Sequence, residues 1–207
     1  THSPPAKAGG SLPAEAGRKD IIKKNNQIHG LYFREYSYPA KPVGTKPALE
    51  DKIYPTGRED FLNNLKFQSL RNKLSKNRNI GIESKVNTPQ GDLHIPMMDF
   101  SLSKSTKSVT LIRKLWKKNM FEYSGKGGLF ETDNSYHFIG SKKLLNENEY
   151  LDFLGWCLLL VYKDEKGDIR NIVDAPYIAY CILKRSSCLR ITKYPNSKMT
   201  PSLICLI

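Results

Sequence analysis

The chain has 207 residues, 39% of them hydrophobic, so it can bury a core of its own, and disorder throughout is excluded. Its length fits one domain, or one plus an appendage. A formal net charge of +13 and an isoelectric point near 9.5 point to a polyanionic partner, most simply nucleic acid.

No apolar run approaches the roughly 18 residues of a membrane span, and no secretory signal is seen. Cys157, Cys181, Cys188 and Cys205 lack the Cys-x-x-Cys spacing of a zinc site, and most sit among apolar neighbours. They read as reduced thiols of a soluble intracellular protein, cytoplasmic or nucleoid-associated, with no membrane partner.

In chain order, residues 1–20 are rich in Pro, Ala, Gly and Ser and are expected to be a flexible leader to one domain over 21–207. The aromatic run Ile28–Tyr36 predicts a strand. Residues 39–57 carry four prolines and read as a surface loop. Its Lys41, Lys46 and Lys52 are either nucleic-acid contacts or simply solvated. Thr56-Gly57-Arg58-Glu59 reads as a capping box. The helix it opens would bury Phe61, Leu62, Leu65, Leu70 and Leu74.

Alternation predicts a strand over Asn79–Val86, and the Thr88–Gly91 turn returns it to a second one ending in Met97-Met98-Asp99-Phe100. Pro96 marks an edge or a bulge in that hairpin. The spacing of Val109, Ile112, Leu115 and Trp116 predicts a helix over 105–118. Gly125–Gly140 reads as a glycine-opened strand, a turn at Asp133-Asn134 and a second strand carrying Ser135-Tyr136-His137. Asn146 and Glu149 open a capped helix whose stripe is Leu151, Leu154, Leu158 and Val161, with Trp156 expected in the core. Ile172-Val173-Asp174, a helix over 176–183 and strands over 188–193 and 203–207 follow. The order is that of an α+β fold, a mainly antiparallel sheet with helices packed on it, similar to a ferredoxin- or RRM-like core.

On a strand, residues i and i+2 share a face, so Ser135 and His137 are expected side by side, a hydroxyl and an imidazole suited to a phosphate. Residues 104–143 hold nine Lys or Arg against three Asp or Glu. Lys126 is therefore assigned to the phosphate site. Lys107, Arg113, Lys114, Lys117, Lys118, Lys142 and Lys143 are expected to bind single-stranded DNA or RNA through its phosphates.

A strand ending in Asp99, then Ser135-x-His137, then Ile172-Val173-Asp174 and the strand Cys188-Leu189-Arg190-Ile191 follow one another in a telling order. That order resembles the catalytic core of the archaeo-eukaryotic primase superfamily over roughly residues 78–194. The resemblance implies Asp99 and Asp174 as catalytic carboxylates ligating Mg²⁺ or Mn²⁺. It also implies Ser135 and His137 as ligands of an incoming nucleotide's phosphates, and Arg190 as a further phosphate or template contact.

The first motif departs from the family. It reads Asp99-Phe100-Ser101 where the pattern has Asp-x-Asp, and a serine hydroxyl is a poor ligand for Mg²⁺. Metal binding is expected to be weak or absent, unless Asp92, Glu131 or Asp133 compensates.

Three functions remain open: a metal-dependent primase-polymerase, a non-catalytic module binding RNA, DNA or nucleotide within a larger protein assembly, and a generic RRM-like RNA binder. Against the last, adjacent Tyr32 and Phe33 point oppositely. Bland roles stand beside the functional ones: a turn cap for Asp99, a helix N-cap for Asp174, a surface imidazole for His137, a core partner for Arg190, and structural roles for His29 and His94.

Overall fold

The described residues of this computed structural model, 14–36, 52–63, 78–191 and 200–207, form two antiparallel sheets, a two-stranded ribbon and six helices. The first sheet holds β1 (Gly30–Tyr36), β2 (Lys52–Gly57), β3 (Asn79–Thr88), β4 (Gly91–His94) and β10 (Cys188–Arg190), with β10-β3-β1-β2 as its path and β4 beside β3. The second runs β11-β6-β7-β5, from β5 (Met97–Phe100), β6 (Gly127–Glu131), β7 (Tyr136–Gly140) and β11 (Ser202–Leu206). The ribbon pairs β8 (Val161–Lys163) with β9 (Ile169–Asn171).

The step from one sheet to the other falls at Pro96. β3 and β4 make a hairpin turned by Gly91, whose φ of +110° suits glycine. Beyond Ile95-Pro96 the chain leaves that sheet, and β5 pairs with β7 instead. The expected single hairpin through Phe100 is thus a crossover, with the Pro96 carbonyl accepting from Gly140 N at 2.8 Å.

Side-chain alternation on β5 and β7 then builds two cores. Met98, Phe100, Tyr136 and Phe138 face an outer core with the helices α3 (Thr106–Asn119), α5 (Glu147–Leu158) and α6 (Ala175–Lys184). Met97, Ile139 and Phe130 face an inner core with Phe33, Ile80 and Ile82 of the first sheet. The Trp116 ring of α3 packs 4.4 Å from Phe138 and 5.4 Å from Phe100, which seats α3 on the outer face. Its start is fixed by Ser105, which accepts from Ser108 N, and by Tyr136, whose hydroxyl accepts from Ser105 N at 2.8 Å. A four-residue helix α4 (Phe121–Ser124) links α3 to β6.

Several expectations are corrected. The leader is helical from Ala14: α1 (Ala14–Lys23) buries Ile21 and Ile22 in the inner core, a gain of roughly 1.5–3 kcal/mol each. A glycine permits this approach, since a Cβ at Gly128 would lie 2.5 Å from Ile21 Cδ1. Residues 52–57 are an edge strand on β1, where Pro55 needs no donor, and not a loop.

Thr56 lies within β2, so it caps nothing; the N-cap of α2 (Arg58–Leu62) is Gly57, without a side-chain bond. Lys41, Lys46, Leu65, Leu70 and Leu74 lie outside the described residues. The Asn146–Glu149 capping box is present, but α5 buries Tyr150, Phe153, Leu154 and Cys157. That phase leaves Trp156 46% exposed, stacked on Tyr123 at 5.5 Å. Among the described residues no helix is long and apolar enough to cross a membrane.

Candidate functional site between the two sheets

Asp99 and His137 are register partners on β5 and β7, so their side chains share one face. Their strand neighbours Met98, Phe100, Tyr136 and Phe138 fill the outer core, which turns Asp99 and His137 to the opposite face, the side of Met97 and Ile139 that looks toward the first sheet. The carboxylate Oδ1 stands 3.6 Å from the imidazole Nε2, beyond a normal hydrogen bond; the His137 side chain is 9% exposed and that of Asp99 29%.

Burial pushes the Asp99 carboxyl up to about 7; the Asp174 carboxylate adds to the shift and Arg190 opposes it. Burial also pulls the His137 imidazole down to about 3, helped by the positive charges of Arg18 and Arg190. At neutral pH the imidazole is uncharged, and the carboxyl opposite it is poised between charge states.

Asp174 arrives beside this pair through backbone pairing. Phe100 bridges to Val173, and Asp174 N donates to the Asp99 carbonyl at 3.0 Å. Its own Oδ1 accepts from Tyr177 N at 3.0 Å, capping α6. The bland role and the place in the site therefore coexist. Arg190 comes from β10, which lies against β5 but hydrogen-bonds to β3. Its guanidinium holds Asp133 at 2.8 Å and ties the β6–β7 turn to the first sheet.

The other candidates are placed differently. Ser135 precedes β7, and its hydroxyl donates to the Phe100 carbonyl, closing the turn against β5; no hydrogen bond joins it to His137. Ser135 thus stands one residue before the first residue of the strand that carries His137. Lys126 sits just before Gly127, which pairs with Gly140, at the far end of the hairpin from His137.

Lys107, Arg113, Lys114, Lys117 and Lys118 ride on α3, across the second sheet from Asp99. They are near the hairpin in sequence but behind it in space. Lys142 is exposed beyond β7, and Lys143 donates to the Glu122 carbonyl. His94 is structural: it is buried, stacked 4.2 Å from Tyr150, with Nδ1 3.2 Å from Ser84 Oγ.

A divalent cation needs several oxygen ligands converging on one point. Ser101 Oγ is turned away, donating to the Asn171 carbonyl at 3.0 Å. The three candidate compensators are all ion-paired elsewhere: Asp92 with Lys85 at 3.0 Å, Glu131 with Lys104 at 2.6 Å, and Asp133 with Arg190. Among the described residues no three His, Cys, Asp or Glu side chains converge to hold a metal ion. These residues do not fit a two-metal centre.

One contributor escaped the sequence reading. Arg18 of α1 is buried beneath the site, donating to the carbonyls of Ile191 at 3.2 Å and Pro201 at 3.4 Å, with its guanidinium 5.4 Å from the Phe130 ring centroid. The signal was the spacing of Arg18, Ile21 and Ile22, hidden by the small residues upstream.

The AEP-like family model, described as archaeo-eukaryotic primase 1D-like, matches residues 59–202, a span that includes the β5–β7 pair, Asp174 and Arg190. No curated protein and no solved structure matches the chain.

Proposed function

The chain belongs to the archaeo-eukaryotic primase 1D-like family, and from that membership we propose that the site around Asp99 and His137 binds a nucleotide or the end of a nucleic-acid strand. Divalent metal binds there too weakly to support ordinary nucleotidyl transfer. The observation that carries this reading is Ser101, which stands two residues after Asp99 and bonds to the Asn171 carbonyl. Nucleotidyl transfer relies on carboxylate-held cations to neutralise the attacking and leaving oxygens. A neutral hydroxyl pointed elsewhere supplies none of that charge.

What remains is suited to binding. A neutral imidazole can donate to or accept from a phosphate or a sugar hydroxyl. Two buried arginines, Arg18 and Arg190, bring positive charge close to the imidazole. The net charge of +13 favours a polyanion overall. Ser135 acts indirectly, by holding the turn before β7 onto β5.

The test is equilibrium binding of a nucleoside triphosphate to the unaltered chain and to His137→Ala, in EDTA and again in Mg²⁺. Saturable binding that survives EDTA and weakens about tenfold in His137→Ala is expected, the loss of one charge-assisted hydrogen bond. Binding that requires Mg²⁺, or that ignores His137→Ala while circular dichroism shows an intact fold, would overturn the proposal.

A further inference from the structure

Behind the second sheet, α3 and the segment from Trp156 to Glu165 run alongside each other with a groove between them. Two cavities lie end to end along α3, one of about 470 Å³ beside Leu111 and Tyr162 and one of about 320 Å³ beside Leu115 and Trp156. At about 1.5 Å per residue, α3 gives the groove a length of roughly 20 Å. The far wall carries large apolar side chains in the open: Trp156 is 46% exposed, Leu159 66% and Val161 43%. Single exposed apolar residues are ordinary, but here three within six positions line one cavity and form an exposed apolar patch.

Charge indicates what covers it. Lys107, Lys114 and Lys118, spaced seven and four apart, share one stripe of α3 next to Leu111 and Leu115. Lys114 and Lys118 make no ion pair among the described residues. Lys107 meets Glu165 only at 3.5 Å, and both are largely in water. Beside the rings of Tyr123, Trp156 and Tyr162 the wall carries Leu159 and Val161, which offer no ring for a nucleobase to stack on.

We propose that this groove docks an acidic amphipathic helix of a partner protein, its apolar side chains against Trp156, Leu159 and Val161 and its carboxylates along the α3 lysines. The surface lies across the second sheet from His137, so docking stands or falls separately from nucleotide binding.

The probe is a labelled synthetic helix of about 15 residues, leucines on one face and glutamates on the other. A version with lysines for glutamates and an oligothymidylate serve as comparisons. Trp116 is fully buried, so a change in tryptophan emission reports on Trp156.

The acidic helix is expected to bind saturably and to shift that emission to the blue. Affinity should fall about tenfold in Leu159→Glu, and again in Lys114→Glu with Lys118→Glu, all exposed positions, while His137→Ala changes nothing. Equal binding of the lysine version, no binding of the acidic one, or indifference to Leu159→Glu would overturn the proposal. Quenching of Trp156 by oligothymidylate would make the groove a nucleic-acid surface, and self-association abolished by Leu159→Glu would make it a contact between copies; either result contradicts the proposal.

Discussion

Asp99 and His137 stand directly opposite each other across the β5–β7 ladder, Oδ1 to Nε2 at 3.6 Å, and the same burial moves their proton affinities in opposite directions. The carboxyl is pushed up because its charged form is desolvated, and the imidazole is pulled down for the same reason. Neither charge neutralises the other at neutral pH. A pair kept in this condition by the fold is stability forgone, which accords with the binding site proposed for it.

The carboxyl makes the first prediction. Asp99 titrates near 3.9 in an unfolded chain and at about 7 in the folded one. A raised carboxyl affinity means that its contribution to stability is full below about pH 4 and is lost as pH rises through 7. Asp99→Asn cannot ionise, so it should outlast the unaltered chain in urea at pH 8 by on the order of 1 kcal/mol or more. The gain should vanish near pH 4. An equally stable or weaker variant at pH 8 would show that the Asp99 carboxylate is fully compensated.

His137 has the opposite sign. Its folded affinity lies below its unfolded value, so its neutral form contributes fully above about pH 6.5, and the contribution is lost as pH falls through about 3. The His137 ring protons in an NMR titration should therefore stay at their neutral shifts down to about pH 4. A midpoint near 6.5 would place the ring in water.

Arg18 should matter to fold and site together. Arg18→Met leaves the Ile191 and Pro201 carbonyls without their donor, at a cost of about 1–3 kcal/mol in urea unfolding. The same change removes a positive charge that depresses His137, so the imidazole midpoint should rise. Unchanged stability would mean that α1 is not anchored through Arg18.

Ser101 offers a gain-of-function test. It is exposed, so aspartate is tolerated there. Mn²⁺ binding followed by paramagnetic resonance should tighten in Ser101→Asp by about tenfold or more, as a third carboxylate joins Asp99 and Asp174. No change in affinity would mark Asp99 as a turn residue with no part in cation binding.

Much of this was legible in the residues, and each failure has its own physical cause. Alternation located β5 and β7, and motif order brought Asp99, His137 and Asp174 to adjacent strands and a helix start. The Asn146 capping box was readable because its bonds are local.

The side of the sheet on which α3 packs is not local. A helix following β5 can cover either face, and Trp116 against Phe138 settles it, carrying the lysines away from Asp99. Trp156 was misplaced because the α5 stripe includes Tyr150 and Cys157, which shift its phase. The strand was read as starting at Ser135, and it starts at Tyr136.

The most direct test of a nucleotide-binding site depleted of metal ligands is primer extension on a single-stranded template, run in Mg²⁺ and in Mn²⁺ beside the triphosphate-binding measurement. Bound nucleotide with no extension in Mg²⁺ and at most a trace in Mn²⁺ is the expected result. Extension by the unaltered chain in Mg²⁺ at ordinary polymerase rates would contradict it, and would require an acidic ligand that Asp92, Glu131 and Asp133, each held by a cation, do not provide.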